Sequence, residues 1–267
     1  MIRDPDHPGA FYVVSGPTSQ SWVDPDDPLR LEFEYVQRIA EAMEETVLVR
    51  SSAERLRIVH IGGGGLTLPR YVEARRPTTA QIVLEPDVDL VSQVRDLLPL
   101  ARRSGIKIRE VDGLTGILDM PDAYADAIIV DAFAGAQVPG DLVTKEFFGE
   151  LRRLLRAGGV VCLNVTDKSP FAWARRWAAG LTRTFHHVVL SAEVPVWKGR
   201  RFGNLVAVAA QEPLPVDAIE HWATRAHFPY RLLWGPPLHH WVGAAVPFTE
   251  ADAEPSPVPS WGRGWFS

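Results

Sequence analysis

The chain has 267 residues, 46% hydrophobic and 23% charged, the make-up of an ordinary folded protein rather than a disordered one. A formal net charge of -5 gives no reason for a nucleic-acid-binding surface, and the single cysteine, Cys162, excludes an internal disulfide and fits a reducing compartment. MIRDPDHPGAFYVV has no basic segment leading into an apolar core, and no apolar run approaches the ~20 residues of a bilayer span, so a cytoplasmic protein without membrane contact is the expectation.

FYVVSG and SQSWVD read as short strands split by turn residues. In PDDPLRLEFEYVQRIAEAME, Leu31, Phe33, Val36, Ile39 and Ala40 recur at helical spacing, which predicts an amphipathic helix. From Leu56 onward apolar runs alternate with helical patterns. RLRIVHI, QIVLE, IKIREV, DAIIVDAF and GGVVCLNV are the runs; LPRYVEARR, DVDLVSQVRDLL, DLVTKEFFGELRRLLRAGG and FAWARRWAAGLTRTF are helical. Strands covered by helices on both faces read this way, and the glycines of LRAGGV read as a helix stop. HHVVLSAEVPVW and FGNLVAVAA, joined by KGRR, read as a hairpin with no helix between them. The predicted fold is α/β: a Rossmann-like, seven-stranded, mostly parallel sheet with an antiparallel edge hairpin, behind a small N-terminal β element.

Three segments are expected: residues 1–55 as the β element and first helix, 56–212 as the Rossmann-like domain, and 213–267 as a helix plus a Pro- and Trp-rich tail. The tail reads as extended and partly mobile, with Trp261, Trp265 and Phe266 loosely packed rather than docked on the body or another subunit. Two adjacent pairs, His186-His187 and His239-His240, point to opposite faces if they lie on strands, and no metal site is predicted. Cys162, inside an apolar run, reads as a buried thiol, and Trp173 and Trp177, four apart on a helix, as packing residues.

IVHIGGGGLTL carries the main functional signal: a strand, four glycines (Gly62, Gly63, Gly64 and Gly65), then a helix. Glycine allows a sharp turn and a close ligand approach, and the next helix presents free amides. Glu85 ends the second strand about twenty residues on, where an acid accepts from ribose hydroxyls. Asp112, followed by Gly113 after the third strand, reads either as an adenine contact or as a turn-forming Asp-Gly pair. Asp131 ends the fourth strand where the strand order should reverse, a place for catalysis or for a cationic ligand. The turn lacks the last glycine of G-x-G-x-x-G, acids follow strands three and four, and a hairpin closes the sheet; these favour an S-adenosyl ligand over NAD.

From about Leu31 to Ala210 the sequence resembles the spermidine synthases (polyamine aminopropyltransferases), above all the divergent spermidine-synthase-like proteins. LEFEY resembles that family's D-E-F-x-Y, IGGGGL its I-G-G-G-D-G, VDGL its V-G-D-G-F, and VDAFAGAQVPGDLVTKEFF its V-D-S-T-D-P segment. The resemblance implies a homodimer with decarboxylated S-adenosylmethionine as donor and an amine as acceptor. It assigns ribose to Glu85, adenine to Asp112, the proton-accepting role to Asp131, and the acceptor site to Tyr35. Two family acids are replaced, by Gly65 and Ala134, and a Tyr-containing segment becomes PVWKGRR with Trp197, Lys198, Arg200 and Arg201. KGRR reads as a solvated hairpin tip ahead of a substrate contact. Loss of the acid at Gly65 would admit intact S-adenosylmethionine, which keeps methyl transfer and non-catalytic nucleoside binding as alternatives.

Overall fold

The computed structural model describes residues 1–15 and 18–259. A small antiparallel sheet, β1 (Ile2–Arg3), β2 (Phe11–Ser15) and β3 (Thr18–Val23), opens the chain. Helix α1 (Glu34–Thr46) follows, burying Val36, Ile39, Ala40 and Met43 at the spacing read from sequence. Then come β4 (Arg57–Ile61), α2 (Thr67–Arg75), β5 (Ala80–Leu84), α3 (Val88–Leu97), β6 (Ile106–Arg109), α4 (Gly113–Leu118) and β7 (Ala125–Val130). After a 3-10 turn at Gly140–Val143 the chain forms α5 (Lys145–Leu154), β8 (Leu155–Asp167), α6 (Ala172–Thr184), β9 (His187–Glu193), α7 (Val194–Trp197) and β10 (Gly203–Ala210). It ends with α8 (Val216–Arg225), β11 (Tyr230–Trp234) and α9 (Gly235–Val242).

The main sheet has the order β11-β9-β10-β8-β7-β4-β5-β6. Strands β4 to β8 pair in parallel, and β10, β9 and β11 continue antiparallel. The chain runs outward through β4, β5 and β6, then returns to β7 on the other side of β4. The strand order therefore reverses between β4 and β7, where a crevice opens at their carboxyl ends. Period-two alternation feeds two cores. Val59, Ile61, Ile128 and Val130 face α5 and α6, while Ile58, Ala127 and Ile129 face α1 and α2.

The sheet has eight strands rather than seven, because YRLLW pairs with β9 at the edge. The C-terminal segment expected from 213 onward accordingly contributes Tyr230–Trp234 to the main sheet. LRAGG belongs to β8: α5, capped by Thr144, already ends at Leu154, and the glycines serve the irregular start of the strand against β7. The hairpin connection contains the single turn α7, started by Pro195. His239 and His240 lie on α9, not on a strand. Cys162, Trp173 and Trp177 are buried as expected. The tail is extended but docked: Phe248 is buried, and Ser256 bonds the backbone of Val138. Trp261, Trp265 and Phe266 lie outside the described residues. No described helix is long and apolar enough to cross a membrane.

Arg76, buried after α2, fastens the segment that leads from α1 into β4. Its guanidinium donates to the carbonyls of Leu48 (3.1 Å), Arg50 (2.6 Å) and Glu54 (2.8 Å), and to that of Ser51. Arg76→Leu removes these charge-assisted bonds. Chemical denaturation is expected to show a loss of roughly 2 kcal/mol.

Candidate functional site

At the reversal point a cavity of about 670 Å³ lies between the carboxyl ends of β4 to β7 and the small N-terminal sheet. Its floor is the glycine turn. Gly62 has φ +93°, and a Cβ there would stand 2.2 Å from the Asp131 carbonyl oxygen, so only glycine lets β4 and β7 end side by side. A Cβ on Gly113 would meet Ile61 Cγ2 at 2.3 Å, so this glycine seats the start of α4 on the end of β4. Gly62, Gly63, Gly64 and Gly113 all line the cavity.

Glu85 is fixed by two backbone donors: Oε2 accepts from Gly63 at 2.8 Å and Oε1 from Asp87 at 3.0 Å. Each carboxylate oxygen retains a second lone pair for a ligand hydroxyl. Asp112 lines the same cavity and also caps α4, accepting from the Thr115 amide at 2.8 Å. The cap matches the turn-forming Asp-Gly reading of this residue. The Thr115 backbone bond holds its carboxyl below the ordinary value.

Asp131 occupies the foot of the cavity. Asn164 Nδ2 donates to its Oδ1 at 2.9 Å, and the Tyr35 hydroxyl on α1 faces it. Burial pushes the Asp131 carboxyl up to about 6, against the lowering effect of those two groups. Burial and the adjacent Asp131 charge push the Tyr35 phenol well above its usual range, which keeps it a donor. His60, beneath the turn, is pushed down to about 4 by burial and bonds Gln81 at 2.8 Å, so it is neutral near pH 7.

Gly65 behaves differently from its neighbours. It is absent from the cavity lining, and its amide donates to Ser21 Oγ at 3.3 Å. A Cβ at this position would meet Val23 Cγ1 at 2.9 Å. The N-terminal sheet fills the space that a side chain at 65 would need. Ala134 does line it, whereas Trp197, Lys198, Arg200 and Arg201 do not. Trp197 packs against Phe171 and Trp241, and Arg201 pairs with Glu193.

Sequence reasoning passed over several residues of the site. Asp87, Asp89 and Asp141 line the cavity with Glu85, Asp112 and Asp131, making six carboxylates. Among the described residues no Lys or Arg side chain lines it. Gln20 and Ser21 reach it from β3. Asn164 had a readable signal: a polar side chain inside the apolar run GGVVCLNV, one strand away from Asp131.

A glycine turn, acids at successive strand ends and a crevice at the strand reversal define a Rossmann-like α/β fold. No family model matches the chain. Polyamine aminopropyltransferases of Chromobacterium violaceum and of Neisseria meningitidis serogroup A are each 28% identical over 148 residues, 55% of this chain and 54% of theirs. The chain therefore spans about half the length of these curated relatives. A probable spermidine synthase from Corynebacterium glutamicum superposes with a TM-score of 0.86 at 28% identity, covering 93% of this chain and 91% of that one. Human methyltransferase-like protein 13, solved in complex with SAH, shares the fold at a TM-score of 0.56 and 18% identity, over 69% of this chain and 88% of its own. The chain is thus similar to polyamine aminopropyltransferases over about half their length and to a probable spermidine synthase over most of its length, and it shares the fold of a methyltransferase-like protein.

A carboxyl raised by burial binds its proton more tightly in the folded state. Asp131 therefore favours folding below the ordinary aspartate value, and that contribution is lost as pH rises toward about 6. Asp131→Asn is expected to melt above the wild type at pH 8, by on the order of 2 kcal/mol, with the advantage gone by about pH 4.

Proposed function

We propose that the cavity binds decarboxylated S-adenosylmethionine and a small amine, and that Asp131 accepts the proton released when the amine is alkylated. One observation carries the reading. A half-buried carboxylate, hydrogen-bonded by Asn164 and faced by Tyr35, stands at the foot of a cavity lined by six acids and, among the described residues, by no Lys or Arg side chain. Such a lining favours cations, and both the sulfonium donor and the ammonium acceptor are cations. A volume near 670 Å³ accommodates a nucleoside and a short amine together.

The acids divide the work by environment. Glu85, held by two backbone amides, suits the ribose hydroxyls, and Asp112, on the cavity edge, suits the adenine amino group. Asp131 draws a proton from the acceptor ammonium, and the freed nitrogen pair attacks the carbon beside the sulfonium. That carbon's bond to sulfur breaks, its electron pair stays on sulfur, and methylthioadenosine leaves. A carboxylate with its value near 6 is ionised at neutral pH and is a stronger base than an ordinary aspartate. The decarboxylated donor is favoured over intact S-adenosylmethionine because a further carboxylate would enter an acid-lined space.

Incubation with each donor and a panel of di- and monoamines tests the reading by its products. Methylthioadenosine is expected. S-adenosylhomocysteine would instead establish methyl transfer, and neither product across the panel would favour nucleoside binding without catalysis. Where turnover is measured, its rate should fall tenfold per pH unit below about 6, as Asp131 becomes protonated. Asp131→Asn should lower turnover by about 10²- to 10⁴-fold while nucleoside affinity, read by calorimetry, stays near that of the wild type.

A further inference from the structure

The loop leaving β7 forms one wall of the cavity through Phe133, Ala134, Gly135, Pro139 and Asp141. Its own bonding is sparse: a single bridge joins Ala134 and Gln137 across the tip. Two distant parts of the chain hold it. From the N-terminal sheet, Gln20 Nε2 donates to the Gly135 carbonyl at 2.7 Å. From the C-terminal segment, Ser256 meets the descending limb three times. Its amide donates to the Val138 carbonyl at 3.0 Å, its Oγ accepts from the Val138 amide at 2.9 Å, and its carbonyl accepts from Gln137 Nε2. Ser256 is completely buried.

The segment bearing Ser256 is itself anchored on the body of the protein. Phe248 is buried against Trp173, with ring centroids 5.7 Å apart, and its carbonyl accepts from the Lys145 amide at 2.9 Å. Arg176 stacks 4.0 Å over the Phe248 ring and pairs with Asp252. Trp173 Nε1 donates to the Glu254 carbonyl at 3.1 Å. The strand Glu254 to Ser256 also runs so close to Gly140 that a Cβ there would stand 3.1 Å from the Glu254 backbone. A Pro-rich segment without regular structure thus transmits the rigidity of α5 and α6 to the cavity wall.

We infer that the segment 247–259 is a strap that holds the cavity wall in its ligand-binding position, and that Ser256 is its positioning residue. The inference rests on the reading that this cavity binds the nucleoside. Ser256 touches neither Asp131 nor any cavity-lining acid, so its effect reaches the ligand only through Gln137 and Val138. Loosening the strap lets the wall sample positions away from the ligand, which weakens binding and leaves the chemistry at Asp131 intact.

The test uses full-length Ser256→Ala and, from the loop side, Gln137→Ala, which removes the bond to the Ser256 carbonyl without altering a buried position. Hydrogen exchange and calorimetry with methylthioadenosine are run on both, with the double variant. Amides of residues 134–142 are expected to exchange at least about fivefold faster, with β4 to β8 unchanged. Methylthioadenosine affinity should fall roughly fivefold for each variant, the worth of one hydrogen bond, and less than additively for the two together. With the amine reaction in hand, KM for the donor rises by that factor while kcat moves less than about twofold. Unchanged exchange and unchanged affinity in both variants would overturn the strap. A wild-type protein that binds no methylthioadenosine would instead overturn the reading of the site, and the exchange data alone would still decide whether the strap holds the loop.

Discussion

The ends of β4 and β7 touch where most proteins would have a side chain, and the rest of the site follows from that contact. With no Cβ at Gly62, the Asp131 carbonyl lies 2.2 Å from where one would be. The close approach brings the last residue of β7 to the glycine turn, so Asp131 reaches the cavity from a buried strand end rather than from a mobile loop. The same turn presents the Gly63 amide to Glu85, which locks the end of β5 in place. One backbone crossing therefore positions Asp131 and Glu85 together. Any residue other than glycine at 62 would have to separate the two strands or abandon φ +93°.

Around this crossing, environment and not residue type sets what each carboxylate can do. Asp112 is exposed and accepts from the Thr115 amide, so its charge is stabilised and its basicity is low. Asp131 is half-buried, and its desolvation outweighs the lowering effect of Asn164 and Tyr35 and raises its proton affinity. Tyr35 and His60, buried beside it, both stay neutral near pH 7, one as a donor and the other bonded to Gln81. The foot of the cavity thus holds one titrating group in a largely apolar setting, while the remaining acids supply a negative rim. That is a division suited to drawing in cations and deprotonating one of them.

The parallel strands, the glycine turn and Asp131 were legible because each depends on local sequence: apolar runs, turn residues and an acid at a strand end. The eighth strand was not. YRLLW follows HFP and has none of the flanking alternation that marked the others; its partner β9 lies almost forty residues earlier in the chain. The helix holding His239 and His240 did have a signal, two prolines at its first turn, which suit a helix start and not a strand. The docked tail had none, since Pro- and Ser-rich composition speaks of the backbone's own preferences and not of Val138 waiting to pair with Ser256. Among the site residues, Asn164 was readable as a polar break in an apolar run. Asp141 was not, because its place on the rim depends on the path of the loop after β7.

Gly65 shows how far the consequence of a local difference depends on what packs around it. The resemblance placed an acid there in the related family, and its loss suggested a cavity opened to a ligand carboxylate. The residue instead sits under Val23, Ser21 and Val13 of the N-terminal sheet, forty or more positions away in sequence. An aspartate at 65 would collide with that sheet, so the absent acid and the position of β3 are one structural choice. Its effect on the cavity is to bring Ser21 and Gln20 to the rim, neutral groups in place of a charge. With Ala134 also uncharged, the acids that remain lie mainly on the nucleoside side, at Glu85, Asp87, Asp89 and Asp112, with Asp131 at the foot and Asp141 on the loop wall. The part of the cavity roofed by the N-terminal sheet thus presents neutral groups, while Asp131 keeps its bond from Asn164. On the proposed reading, divergence of this kind changes which cation fits beside the nucleoside and leaves Asp131 in place to accept its proton.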